Sequence, residues 1–117
     1  IPVETSFIAM RSIRSIMKVV ELMQARRDSS ISILGLLASR LDARQTSCKQ
    51  ALQMLNEHFS SLLLNTHISD AVAIKDSVAH GKSVLCYKPQ CKSTKQYKEL
   101  AAEVVERLAK GNKKHAA

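Results

Sequence analysis

Residues 31–41 read ISILGLLASRL, an almost unbroken apolar run. At this length, with Gly35 inside it, the pattern is that of a strand buried on both faces, as in a parallel sheet. On either side the period changes to that of a helix. Ala9, Met10, Ile13, Ile16, Met17, Val20 and Met23 recur on one side of a segment running from Phe7 to about Arg27, with Arg11, Arg14 and Lys18 opposite. This predicts an amphipathic helix, capped by Thr5 or Ser6 and broken at Asp28-Ser29-Ser30. After a turn at 42–44, residues 45–59 predict a second helix with Cys48, Leu52, Leu55 and Phe59 inward. Ile1-Pro2-Val3 reads as the end of another buried strand, and 61–68 (SLLLNTHI) as the next one.

The rest of the chain is more broken. A short helix is expected over 70–79, capped by Ser69 or Asp70, with Gly81 supplying its left-handed stop. Val84-Leu85-Cys86-Tyr87 reads as a brief extended segment before Pro89. A last helix over 94–109 turns Tyr97, Leu100, Ala101, Val104 and Leu108 inward and ends at Gly111, leaving 111–117 as a flexible basic tail. Strands alternating with helices imply an α/β fold of about three mostly parallel strands with flanking helices, in one domain over 1–117. A sheet this thin exposes an edge that calls for a partner: an N-terminal half, a second copy, or aggregation.

Composition narrows the function. The 117 residues suffice for one core. Aromatic residues are 3% of the chain, which argues against modules that stack bases on aromatic platforms. The net charge of +8 suits a polyanionic partner such as DNA, RNA or an anionic membrane, or a merely solubilising surface. Cys48, Cys86 and Cys91 form no CxxC pair, so reduced thiols are expected rather than a disulfide or zinc scaffold. No apolar run approaches the ~20 residues that span a bilayer, and no signal peptide is visible. A chain opening on Ile1 without Met is expected to be cut from something longer.

Several motifs invite chemistry and do not sustain it. Gly81-Lys82-Ser83 lacks the glycine a phosphate loop needs at position 76, which is Asp76, and it follows a helix where the loop must follow a strand. His58, His67, His80 and His115 lack metal-ligand spacing, so no metal site and no catalytic residue is assigned. Glu99, Glu103 and Glu106 read as a solvated helix face with Lys95 and Lys110 as partners. The basic residues carry more. Lys92, Lys95 and Lys98 crowd the start of the last helix, where cations oppose the helix dipole at a cost of ~0.3–1 kcal/mol each. With Lys75 and Lys82 nearby, and Arg11, Arg14 and Lys18 as a second stripe, they form candidate contacts to DNA phosphates.

The order of these features resembles the C-terminal part of the ParA-type (Soj-like) partitioning ATPases of the ParA/MinD superfamily. Ile33-Leu34-Gly35-Leu36-Leu37 is similar to that family's "ILGVLL" strand, and Leu41-Asp42-Ala43-Arg44 to its "YDxR" turn. His58-Phe59 matches its "HF", Ala79-His80-Gly81-Lys82-Ser83 its "SHGKP/T", and Tyr87-Lys88-Pro89 its "Y-x-P". Residues 93–100 resemble its "S-x-x-A-x-x-Y-x-x-L". One departure stands out: where the family often has Ile-Pro-Arg, this chain has Ile68-Ser69-Asp70, which removes a cation and adds an anion.

The resemblance implies the C-terminal portion of a P-loop NTPase-like fold of the deviant Walker A type, without its Walker A and Walker B regions. It implies a parent that uses ATP and Mg, forms a homodimer, binds nonspecific DNA, answers to a ParB-like stimulating protein and works in the cytoplasm on the nucleoid, without a membrane. This chain would hold no cofactor itself and would be inactive alone. It would supply the base-side wall of the nucleotide site, from Ser39, Arg40, Asp42, Ile68, Ser69 and Asp70, and much of the DNA-binding surface for plasmid or chromosome partitioning. The alternatives are a segment of a MinD-like positioning ATPase, which would want an amphipathic C-terminal membrane helix with bulky apolar residues where 110–115 read KGNKKH, and a stand-alone basic α/β module that binds nucleic acid or protein.

Overall fold

The computed structural model describes residues 1–26 and 30–115. Its elements are β1 (Pro2–Glu4), α1 (Phe7–Gln24), β2 (Leu37–Ser39), α2 (Thr46–Phe59), α3 (Val72–Ala79), α4 (Val84–Tyr87) and α5 (Lys92–His115). β1 and β2 pair in parallel, with Val3 opposite Ala38. The class is therefore α/β with a parallel sheet, as the apolar run predicts.

The sheet is smaller than expected. Only 37–39 of the 31–41 run is strand, and Ile31 and Leu34 are exposed. The strand expected over 61–68 appears as two isolated parallel bridges, Leu36–Leu63 and Leu41–Ser69. Between them the N–H groups of Asn65 and Thr66 turn away and donate to the Glu103 carboxylate, each at 2.8 Å. The ladder resumes when the Ile68 N–H reaches the Ala38 carbonyl at 2.9 Å. A side chain thus takes the Thr66 donor that a third strand would spend on β2, together with the Asn65 donor on the other side.

The core lies on one side of this sheet. Val3, Ile13, Leu36 and Leu55 are buried together, with Met10, Met17 and Phe59 packed against them. Ile13 comes from α1, and Cys48, Ala51 and Leu55 are the buried residues of α2. Ser6 caps α1, its hydroxyl accepting from the Ala9 N–H at 3.2 Å. Alternation along β2 turns Leu37 away from Leu36, and Leu37 lines a cleft with Tyr97 of α5. The sheet therefore separates α1 and α2 from α5.

Several helix boundaries differ from the sequence reading. α1 ends at Gln24, while Arg27, Asp28 and Ser29 lie outside the described residues. Val84–Tyr87 is a helical turn rather than an extended segment, because the Ser83 hydroxyl accepts from the Leu85 N–H at 3.2 Å. α3 starts at Val72 from Ala71, with no side-chain cap from Ser69 or Asp70. Gly81 does take the left-handed conformation, with φ 60°. α5 runs through Gly111 to His115, where the sequence reading stops the helix at Gly111; Ala116 and Ala117 lie outside the described residues.

Candidate functional site

Parallel α/β sheets present their ligand-binding loops beyond the C-terminal ends of the strands. Here those ends are Glu4, Ser39 and the bridge at Ser69. The loops that follow β2 and the Ser69 bridge are tied together: the Leu41 N–H donates to the Ile68 carbonyl and the Asp70 N–H to the Leu41 carbonyl, both at 3.1 Å. They flank a cleft of about 340 Å3. Leu37, Ile68, Ile74 and Tyr97 supply apolar lining, and Ser39, Arg40, Ser69 and Asp70 supply polar groups. Five of the six residues assigned from sequence to base-side loops thus line one cleft.

Arg40 has φ 52°, a left-handed conformation uncommon for a residue with a Cβ. Its guanidinium pairs with Glu4 of β1 at 2.8 Å, and the Thr5 hydroxyl lies 3.3 Å from its carbonyl. Asp70 pairs with Lys75 at 3.1 Å. Asp42, the sixth residue, lines the neighbouring depression with Arg40 and Asp70. Its carboxylate accepts from the Arg44 side chain and N–H and from the Gln45 amide. The Arg44 and Gln45 hydrogen bonds hold that carboxyl far below the usual carboxylate range. Asp42 fixes the turn that launches α2.

One face of α5 holds the segment from 62 to 69. Gln96, 6% exposed, accepts from the Ser69 N–H at 3.2 Å and donates to the Ser69 hydroxyl at 3.0 Å. Glu103 holds Asn65 and Thr66, and its side chain is 11% exposed. Arg107 pairs with Glu103 at 3.2 Å and donates to the Leu63 carbonyl at 2.7 Å. Burial pushes the Glu103 carboxyl up, but the Thr66 and Asn65 N–H groups outweigh it and leave it below its ordinary value. Gly35 makes room for this arrangement: a Cβ there would meet Leu64 Cδ2 at 2.9 Å, the Leu62 carbonyl at 3.0 Å and Arg107 Nη1 at 3.2 Å. At the start of α5, the buried Thr94 hydroxyl lies 2.8 Å from the Lys88 carbonyl and 3.1 Å from that of Val84, joining α4 to α5.

Glu103 is therefore not part of a solvated acidic face, as its sequence neighbours suggest. Leu108 and Ala101, expected inward, are exposed, and the buried residues of α5 include Ser93, Thr94 and Gln96. Apolar spacing could not find these positions, because polar side chains hold this helix to the sheet.

The basic candidates fall into two groups. Lys92, Lys95 and Lys98 are exposed along one flank of α5, and Lys82 is exposed just after α3. α4 packs against both α3 and α5, so these lysines belong to one cluster of helices. Lys75 belongs to it too, already paired with Asp70. His80 stacks on Tyr87 at 4.8 Å, and Lys88 lies 5.6 Å from the Tyr87 ring centre. Arg11, Arg14 and Lys18 are exposed on α1, which packs against β1 and α2 in the other layer. Gly81-Lys82-Ser83 joins α3 to α4, and Cys91 lies 3.5 Å from the Thr94 hydroxyl, whose hydrogen bond lowers its thiol pKa. Among the described residues no group of His, Cys, Asp and Glu could hold a metal ion, and no helix is long and apolar enough to cross a membrane.

The fold is α/β with a parallel sheet, and the comparisons point to one group of proteins. The chain is similar over nearly its whole length to the C-terminal part of ParA/Soj-type chromosome-partitioning ATPases. It is 28% identical, over 89% of its length, to the sporulation initiation inhibitor protein Soj of Bacillus subtilis, covering 41% of that protein. It is 24% identical over 92% of its length to the chromosome-partitioning ATPase Soj of Treponema pallidum, covering 42% of it. The same identity and share hold for the chromosome partitioning protein ParA of Caulobacter vibrioides, 40% of which is covered. The chain thus spans about two-fifths of the length of the curated relatives it matches. No protein-family model matches it.

Proposed function

We propose that this chain forms the C-terminal segment of a ParA-like partitioning ATPase, contributing a nonspecific DNA-binding surface and the base-side wall of the nucleotide site. The observation that carries the reading is the convergence of Ser39, Arg40, Ile68, Ser69 and Asp70 on one end of a cleft that runs along the sheet face from Pro2 and Leu37. The apolar lining of that cleft suits the flat face of a nucleotide base, and Ser69 and Asp70 offer acceptors to an amino group on its edge. In such a parent ATP and Mg would supply the driving chemistry. Within this chain the fit is to the base side alone, and phosphates and metal would be held by the parent's remaining sequence.

For DNA, the exposed Lys82, Lys92, Lys95 and Lys98 are the favoured contacts. Each lysine that neutralises a phosphate releases a counterion, which gives affinity without sequence preference. Gln96 links this flank to the nucleotide side, since it bonds Ser69 from the helix that carries the lysines. A homodimeric parent and a ParB-like stimulator complete the proposal and rest on the resemblance.

The test is duplex DNA binding by the 117-residue chain at two salt concentrations, with ATP binding measured alongside. Salt-sensitive DNA binding without ATP binding is the expected result. A folded chain that does not bind DNA even at low salt contradicts the assignment of its surface.

A further inference from the structure

The groove between α1 and α2 combines two kinds of side chain that phosphate contacts do not need together. Phe7 and Met10 from α1 and Met54 and Phe59 from α2 line a depression of about 680 Å3. Arg11, Arg14 and His58 share that lining, and no carboxylate does. Phe7 is 48% exposed at the helix start, and Arg11, Arg14 and His58 are exposed. Positions 7, 10, 11 and 14 are spaced so that they lie on one face of α1, and Lys18 continues it by one more turn.

A DNA backbone would use the arginines and leave Phe7 and the exposed parts of Met10, Met54 and Phe59 wet. An amphipathic helix would use both: apolar residues at i, i+3, i+4 and i+7 seat in such a groove, and methionine adapts its shape to the occupant. The charge around the groove selects the occupant's polar flank, because arginine pairs carboxylates bidentately. We propose that this groove docks an acidic amphipathic helix of a partner protein, its apolar side chains against Phe7, Met10 and Met54 and its carboxylates on Arg11 and Arg14. This reading rests on neither the nucleotide site nor the α5 lysines, and it takes Arg11 and Arg14 from the candidate DNA contacts.

The four methionines make the test direct. Met10 and Met54 line the groove, and Met17 and Met23 do not. The 117-residue chain, labelled with 13C at its methionine methyl groups, is titrated with a fluorescent helical peptide of about 18 residues, long enough to hold helix once docked. The peptide carries Leu on one face and Glu along its flank; controls are a scrambled peptide of equal composition and one with Lys for Glu. Expected are shifts at Met10 and Met54 with Met17 and Met23 unmoved, and saturable anisotropy with the acidic peptide alone. Arg11→Glu/Arg14→Glu should weaken binding at least about tenfold, equivalent to 1.4 kcal/mol. Phe7→Ser should weaken it with the charges intact. Both variants change exposed or half-exposed side chains, and unchanged circular dichroism verifies their folds. Equal binding of the control peptides, or unchanged binding by the charge-reversed variant, overturns the proposal. So does displacement of the peptide by duplex DNA through Arg11 and Arg14. Concentration-dependent movement of Met10 and Met54 without peptide overturns it too, since a second copy would then fill the groove.

Discussion

α1 and α5 are both long and both amphipathic in sequence, yet they are held in different ways. α1 buries Ile13 against Val3, Leu36 and Leu55 and leaves Ile8 83% exposed and Leu22 71% exposed. α5 holds the sheet with Gln96, Glu103 and Arg107, reaching backbone groups between Leu62 and Ser69. Side-chain carboxylate, guanidinium and amide do there what another strand would do. Apolar patterning is therefore a good guide to where α1 begins and a poor guide to what holds α5.

The largest effect is expected at the α5 clamp. Glu103→Ala strips two backbone N–H groups of their acceptor and leaves Arg107 without its carboxylate, at a cost of about 3 kcal/mol in urea unfolding. The effect has a pH signature. Glu103 titrates below its ordinary value when folded, so its ionised form stabilises the fold above the unfolded carboxyl's pKa of about 4.3, and that contribution is lost as pH falls through the folded value. Glu103→Gln should therefore be less stable than the wild type at pH 7, with the gap closing below about pH 4. A pH-independent gap would mean that the carboxylate does not clamp this segment. Gly35→Ala tests the same clamp from the sheet side. Its Cβ meets Leu64, the Leu62 carbonyl and Arg107, and a loss of about 2 kcal/mol is expected from overpacking. No loss would mean that the guanidinium and the Leu62 carbonyl leave more room at Gly35. On α1 the expectation reverses: Leu22→Glu removes an exposed apolar side chain and should change stability by no more than about 0.5 kcal/mol. A larger loss would show that this end of α1 is covered.

Much of the fold was legible because apolar period and turn chemistry agree with it. Ser6 caps α1, Gly81 stops the segment after α3, and residues 37–39 form the strand inside the apolar run. The third strand was over-predicted because 61–68 is apolar enough to be one, and nothing in its sequence announces that Glu103, far along the chain, takes the Asn65 and Thr66 donors. Of the candidate site, the order of its loops was readable from family-like motifs, and the structure brings five of the six residues proposed for the base side to one cleft. What could not be read was the role of Gln96, a polar residue buried because one long-range partner, Ser69, satisfies it.

The central proposal is that DNA binding belongs to the α5 flank and not to α1. The direct test is the slope of log binding constant against log salt concentration for duplex DNA. It is measured on the wild-type chain, on Lys92→Glu/Lys95→Glu/Lys98→Glu and on Arg11→Glu/Arg14→Glu. The α5 variant is expected to lower the slope by about 2–3, near 0.9 for each phosphate that is no longer neutralised, while the α1 variant leaves it near wild type. An unchanged slope in the α5 variant, with the reduction falling on the α1 variant, would contradict the assignment.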